Sequence, residues 1–168
     1  GIIMGLRSQQ AILRSPIQSQ LDTISHADIL VGIPCYHNEA SIAHVVQTVS
    51  TGLLRHYPNH SAVLLIADGG STDDTRERAV LPFLPPHQRE IITIYRGIGG
   101  KGSALRTIFA AATQLGVQAS ICLDADLRSI TPDWIAHLLD PILARGYEFV
   151  APLYARYKYD GTITNNLV

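Results

Sequence analysis

The residues best suited to chemistry are two carboxylates one position apart, Asp124 and Asp126, directly after the apolar run Ala119 to Leu123. A short run of that kind reads as a buried strand. In an open α/β sheet, ligands are met outside the carboxyl ends of the strands. Carboxylates placed there and separated by one small residue suit a hard divalent cation shared with a nucleoside diphosphate, because such an ion takes few protein ligands and keeps substrate phosphates and water. Taken alone, Asp-Ala-Asp reads better as a solvated turn, since Asp favours turns through its own backbone hydrogen bonds. The other strand ends change that balance.

Ile29 to Pro34 is a second apolar run of the sort buried on both faces. Asn38 follows as the expected N-cap of a helix whose apolar face is Ile42, Val45, Val46, Val49 and Leu53. Glu39 then falls in that helix's first turn, where it either complements the dipole or contacts a ligand. Ala62 to Ala67 is a third run, and Asp68 stands at its tip as Asp124 does on its own strand. Gly69 and Gly70 permit a tight turn, with Ser71 or Thr72 as the cap of the next helix.

Ile91 to Tyr95 reads as another strand, followed by Arg96-Gly97-Ile98-Gly99-Gly100-Lys101-Gly102 and a helix stopped by Gly116. Gly97, Gly99 and Gly102 satisfy G-x-G-x-x-G between strand and helix, with Asp124 about twenty residues on, as a dinucleotide fingerprint asks. The loop is not a Walker motif, because Tyr95 stands where its first glycine belongs and Gly102 replaces the Ser or Thr. It reads as a phosphate loop that leaves the cofactor open. Against an NAD(P)-type oxidoreductase, the fingerprint falls on the third strand and leaves Asp68 and Asp126 without a role.

The elements that must position these groups belong to one α/β domain of 168 residues, 46% apolar and 16% charged, which excludes a disordered chain. Thirteen basic against fourteen acidic residues give no electrostatic footprint for nucleic acid. No run approaches a membrane span and no signal peptide is legible, so a cytoplasmic location is expected. Cys35 and Cys122 read as buried free thiols, and the seven histidines show no metal-ligand spacing. Residues 1–27 form a helical extension broken by Pro16, and residues 28–168 the domain. Thr131-Pro132-Asp133 starts a helix with N-cap, N1 proline and first-turn acid; Trp134 lies on its apolar face, and Pro141 should kink or divide it. Glu148 to Leu153 reads as a fifth strand.

Taken in order, Ile33-Pro34 with Asn38-Glu39, Asp68-Gly69-Gly70-Ser71-Thr72-Asp73-Asp74-Thr75, Gly100-Lys101-Gly102 and Asp124-Ala125-Asp126 resemble the family-two glycosyltransferases of the GT-A fold. Within that group, the Gly-Lys-Gly loop, Pro132-Asp133-Trp134-Ile135 and the spacing from Gly146 through Arg156, Asp160 and Ile163-Thr164 resemble the mannosylglycerate synthase and glucosyl-3-phosphoglycerate synthase type. The resemblance covers about residues 28 to 165.

It implies a mostly parallel, Rossmann-like sheet flanked by helices, and a sugar moved from a UDP- or GDP-linked donor to a small, glycerate-like acid with Mn²⁺ or Mg²⁺. Pro34 and Glu39 would line the base and ribose pocket, Asp68 would hydrogen-bond the base, and Gly100, Lys101 and Gly102 would meet the base or diphosphate. Asp124 would hold the ribose or donor sugar, Asp126 the metal, and Arg156, Asp160 and Thr164 the acceptor. Enzymes of this kind run longer, with a further metal-ligating His and much of the acceptor site downstream, so residues 28–168 are expected to be an incomplete domain. No general base for an inverting reaction is legible. A nucleotide-binding piece without turnover is the third reading, and a homo-oligomer is left open.

Overall fold

The computed structural model describes residues 16–95, 101–145 and 153–155, with Pro16, Lys101 and 153–155 described by their backbone alone. In chain order the elements are α1 (Pro16–Ile24), β1 (Ile29–Cys35), α2 (Ile42–His56), β2 (Ala62–Asp68), α3 (Thr75–Ala79), β3 (Gln88–Ile94), α4 (Lys101–Leu115), β4 (Ala119–Leu123), α5 (Pro132–Ala144) and β5 (Leu153–Ala155). The five strands form one sheet in the order β3-β2-β1-β4-β5, and all four pairings are parallel.

The inner strands are apolar without alternation because both faces are covered. Ile29, Val31 and Ile33 of β1, Leu64 and Ile66 of β2, and Ile121 and Leu123 of β4 face a core shared with α2 and α5. Leu30, Val63, Leu65 and Cys122 face the opposite core, which α1 and α4 close with Leu21, Ala104 and Ile108. Each such Leu or Ile, at 0% exposure for most of these positions, contributes about 1.5–3 kcal/mol. The rigid floor of the molecule is therefore β2-β1-β4.

Two close approaches fix the helices on that floor. A Cβ on Gly32 of β1 would lie 2.5 Å from Ile108 Cγ2, so α4 seats against bare backbone. A Cβ on Gly52 of α2 would lie 2.6 Å from the Pro132 carbonyl oxygen and 2.5 Å from Ile135 Cγ1, so α2 and α5 cross there.

Several boundaries differ from the sequence expectation. Asn38 is not an N-cap: its Oδ1 accepts from Tyr36 N at 2.8 Å, its carbonyl accepts from Ser41 N and Ile42 N, and Ser41 holds the cap position. Glu39 consequently lies in the loop, ahead of the helix. Neither Ser71 nor Thr72 caps α3, whose N-cap is Asp74. The third strand starts at Gln88 instead of Ile91, since the buried Gln88 amide is satisfied at both ends by Ser50 and can sit in an edge strand. The fifth strand is Leu153–Ala155, set by its ladder to Ile121–Leu123, which hydropathy does not report; 148–152 lie outside the described residues. Pro141 leaves α5 undivided. Trp134 packs partly buried on the first core. Both thiols are buried and free, as expected.

Candidate nucleotide and metal site at the sheet's carboxyl edge

The strand order changes direction at β1, whose neighbours are β2 on one side and β4 on the other, and this switch point is where an open sheet makes its ligand crevice. The β1–β2 ladder runs on to Cys35 opposite Asp68, whereas the β1–β4 ladder stops at Gly32 opposite Cys122. Pro34, two residues beyond Gly32, brings no N–H to continue it. Asp124 stands two residues beyond Cys122, on the other side of the same gap.

Asp124 is buried, with 6% of its surface exposed, whereas Asp126 is exposed. The turn that carries them is closed by Leu127 N to the Asp124 carbonyl at 3.3 Å and Arg128 N to the Asp126 carbonyl at 2.8 Å. Ala125, between them, is buried, and its carbonyl accepts from Ser41 Oγ at 2.8 Å. The start of α2 is thereby tied to the middle of Asp-Ala-Asp. Ser41 carried no chemical signal in the sequence, and only the fold brings it there.

A divalent ion fits this pair in one respect that can be tested on the residues. Among the described residues no group of three or more His, Cys, Asp or Glu could cage a metal. An exposed Asp126 two positions from a second carboxylate is instead compatible with an Mg²⁺-like ion, which uses one or two carboxylates and leaves the other positions to phosphate oxygens and water.

The loops after β1 and β2 are laced together. Gly69 N donates to the Cys35 carbonyl at 2.9 Å. His37, at φ 54° in the left-handed region, donates its N–H to Ser71 Oγ at 2.9 Å, and its Nε2 accepts from Thr72 N at 3.2 Å. Asn38 N donates to Thr75 Oγ1 at 2.8 Å, and Asp74 N to Glu39 Oε2 at 3.0 Å. Glu39 is thus held by a backbone amide of the neighbouring loop, half-buried and off the helix. Tyr36 is 55% exposed and stacks on His37 with ring centroids 3.9 Å apart.

Asp68, which the resemblance aims at a base, is 0% exposed. Burial by itself would raise its pKa, but the Ser71 hydroxyl and amide, the Arg76 guanidinium and the Gly70 amide outweigh that and hold the carboxyl below the ordinary range. Cys35 Sγ also lies 3.5 Å from Asp68 Oδ1; burial and then the Asp68 charge push that thiol well above its usual pKa, so it is no nucleophile. Cys122 is likewise pushed up to about 12, by burial and then by Asp124. Burial, then Cys35 and Asp68, raise Tyr95, whose hydroxyl would be 2.8 Å from a Cβ on Gly69.

The structure thus brings Pro34, Glu39, Asp68, Asp124 and Asp126 to one edge of the sheet. Lys101 and Gly102 open α4, with Lys101 described by its backbone alone. Gly100, Arg156, Asp160 and Thr164 lie outside the described residues. The dinucleotide fingerprint follows β3, an edge strand, and not the switch-point strand β1 where such a loop binds pyrophosphate.

Three solved structures set this geometry in context. A Mycobacterium tuberculosis glucosyl-3-phosphoglycerate synthase is 27% identical, with a TM-score of 0.52 over 74% of this chain and 44% of its own. The same enzyme with Mn²⁺, uridine diphosphate and glucosyl-3-phosphoglycerate is 28% identical, with a TM-score of 0.50 over 74% and 43%. Its complex with phosphoglyceric acid is 26% identical, with a TM-score of 0.52 over 74% and 43%. The chain therefore spans about two fifths of the length of these enzymes. No curated protein matches it in sequence. The family model of glycosyl transferase family 2 matches residues 30–167, from the second residue of β1 through both carboxylates and beyond. With nearly the whole α/β domain inside that match, the chain belongs to glycosyl transferase family 2.

Proposed function

We propose that this chain is the nucleotide-sugar-binding part of a glycosyltransferase that moves a sugar from a UDP-linked donor to a phosphoglycerate-like acid with Mn²⁺ or Mg²⁺. The observation that carries the reading is the Asp124-Ala125-Asp126 turn at the switch-point gap, opposite Pro34 and the Glu39 loop. A tie from Ser41 to Ala125 holds its two sides together. Family membership supports glycosyl transfer, and the resident UDP and Mn²⁺ of a 28% identical neighbour support the donor base and the ion.

Exposed Asp126 would be the metal ligand, and buried Asp124 would accept hydroxyls of the ribose or the donor sugar. Pro34 and Glu39 would border the nucleoside, Asp68 would serve the same side, and Gly100, Lys101 and Gly102 would let backbone and one cation approach the diphosphate. When bound, the ion stabilises the negative charge that the leaving diphosphate gains as the glycosidic bond breaks. Arg156, Asp160 and Thr164 would hold the acceptor. Arg156 follows in sequence the residue that pairs with Leu123, next to Asp124, and a guanidinium fork suits a carboxylate or phosphate.

The test is UDP release from UDP-glucose by the whole protein with Mn²⁺, with 3-phosphoglycerate or glycerate as acceptor and mass spectrometry of the product. A glucosylated acid formed only with metal supports the reading. Metal-independent release, or GDP-glucose as the sole donor, would contradict it.

A further inference from the structure

Asp68 has no capacity left for a ligand. A carboxylate offers about four lone-pair sites, and five donors already point at this one. Oδ1 takes Ser71 Oγ at 2.5 Å and faces Cys35 Sγ at 3.5 Å; Oδ2 takes Gly70 N at 3.0 Å, Ser71 N at 2.8 Å and Arg76 Nη1 at 2.5 Å. A base N–H could enter only by expelling one of these and leaving it unpaired in a buried place, which returns nothing net. Arg76 Nη1 also donates to the Ser71 carbonyl at 3.1 Å, so one guanidinium grips both the carboxylate and the turn that wraps it.

We propose that Asp68 and Arg76 are positioning residues for the nucleotide side of the site, acting through the β2–α3 turn on Glu39 and not by touching the base. The path is continuous. The single Ser71 hydroxyl proton goes to Asp68, which leaves its oxygen to accept His37 N at 2.9 Å. Thr72 N then reaches His37 Nε2, Asn38 N reaches Thr75 Oγ1, and Asp74 N fixes Glu39 Oε2. Gly70, at φ +93°, gives the turn the left-handed residue it needs to bring two successive amides onto Asp68. The charge-assisted Asp68–Arg76 bond is the anchor of this lacing, and Arg76 is half-buried at the edge of it. The inference rests on the nucleotide-binding reading for its functional consequence, but not for the lacing itself.

Two measurements on the chain test it: UDP affinity by calorimetry with Mn²⁺, at a temperature where each variant is fully folded, and amide hydrogen exchange without ligand. Arg76→Gln is expected to weaken UDP about tenfold, Arg76→Lys to recover most of that, and Asp68→Asn with Arg76→Gln to be no weaker than the weaker single variant. Thr72 and Asp74 amides should exchange faster in Arg76→Gln than in the wild type. An Asp68→Asn chain that loses UDP while Arg76→Gln keeps both its affinity within about twofold and its exchange rates would overturn the proposal in favour of direct contact. If the wild type binds no nucleotide, the functional reading falls, and unchanged exchange in Arg76→Gln would still sink the clamp.

Discussion

At the residue scale, Asp126 and Asp68 look alike in sequence, but one is exposed and the other is enclosed. On the proposed function, Asp126→Asn would remove a metal ligand from a wet position, so it should leave the urea midpoint unchanged and lower kcat of the whole protein by about 100-fold or more. Asp68 should instead show itself in stability. Its folded pKa lies below the unfolded value, so its contribution is full above the ordinary carboxylate pKa and is lost as pH falls through the lowered one. Urea midpoints should fall as the pH is taken down from about 5 toward 3, and Arg76→Gln should flatten that fall. Glu90 has the opposite sign. Burial raises its pKa against one bond from Leu81 N, and its Oε2 is buried without a partner among the described residues. Its contribution is full below the unfolded value and lost as pH rises through the raised one, so Glu90→Gln should remove a stability loss on the neutral side. Sequence showed where Asp68 and Asp124 stand, since an apolar run ending in Asp marks a strand tip. It could not show Arg76, whose partner is eight positions back across a turn, or Ser41, whose partner Ala125 is far along the chain.

At the element scale, the strands were legible because both faces are buried and the runs are continuous, whereas caps and edges were not. Asn38 looked like a cap by type, but its side chain closes the loop onto Tyr36 N, a local choice open to any Asn near a turn. Gln88 was hidden by its polarity until Ser50 satisfied it. The glycines of the helix seats were equally silent. Gly52→Ala should test the α2–α5 crossing. Helix propensity favours Ala by about 1 kcal/mol, but the new methyl meets the Pro132 carbonyl, a backbone atom that cannot swing aside. A net loss of about 1–3 kcal/mol in urea unfolding is expected. Gly32→Ala should likewise be destabilising, because the new methyl would lie 2.5 Å from Ile108 Cγ2 and 2.8 Å from its Cγ1, and a fully buried β-branched side chain on a helix has little rotamer freedom to yield.

At the scale of the whole molecule, the order β3-β2-β1-β4-β5 alone does not separate a dinucleotide-binding domain from a sugar-nucleotide transferase. The separation comes from what lies at the switch point: carboxylates just after β4 and a laced Glu39 loop just after β1, whereas the glycine fingerprint follows the edge strand β3 in sequence. No helix among the described residues is long and apolar enough to cross a membrane. The sequence carried the class of the fold through motif order at successive strand ends, while the split of the sheet at Pro34 and the lacing of the two loops needed three dimensions. On the proposed function, this edge binds a nucleoside diphosphate through a divalent ion. The most direct test is calorimetric titration of the chain with UDP, GDP and NAD⁺, each with and without Mn²⁺. Heat is expected from UDP only when Mn²⁺ is present, and it should be lost in Asp126→Asn. Tight NAD⁺ binding without metal, indifferent to Asp126, would contradict it.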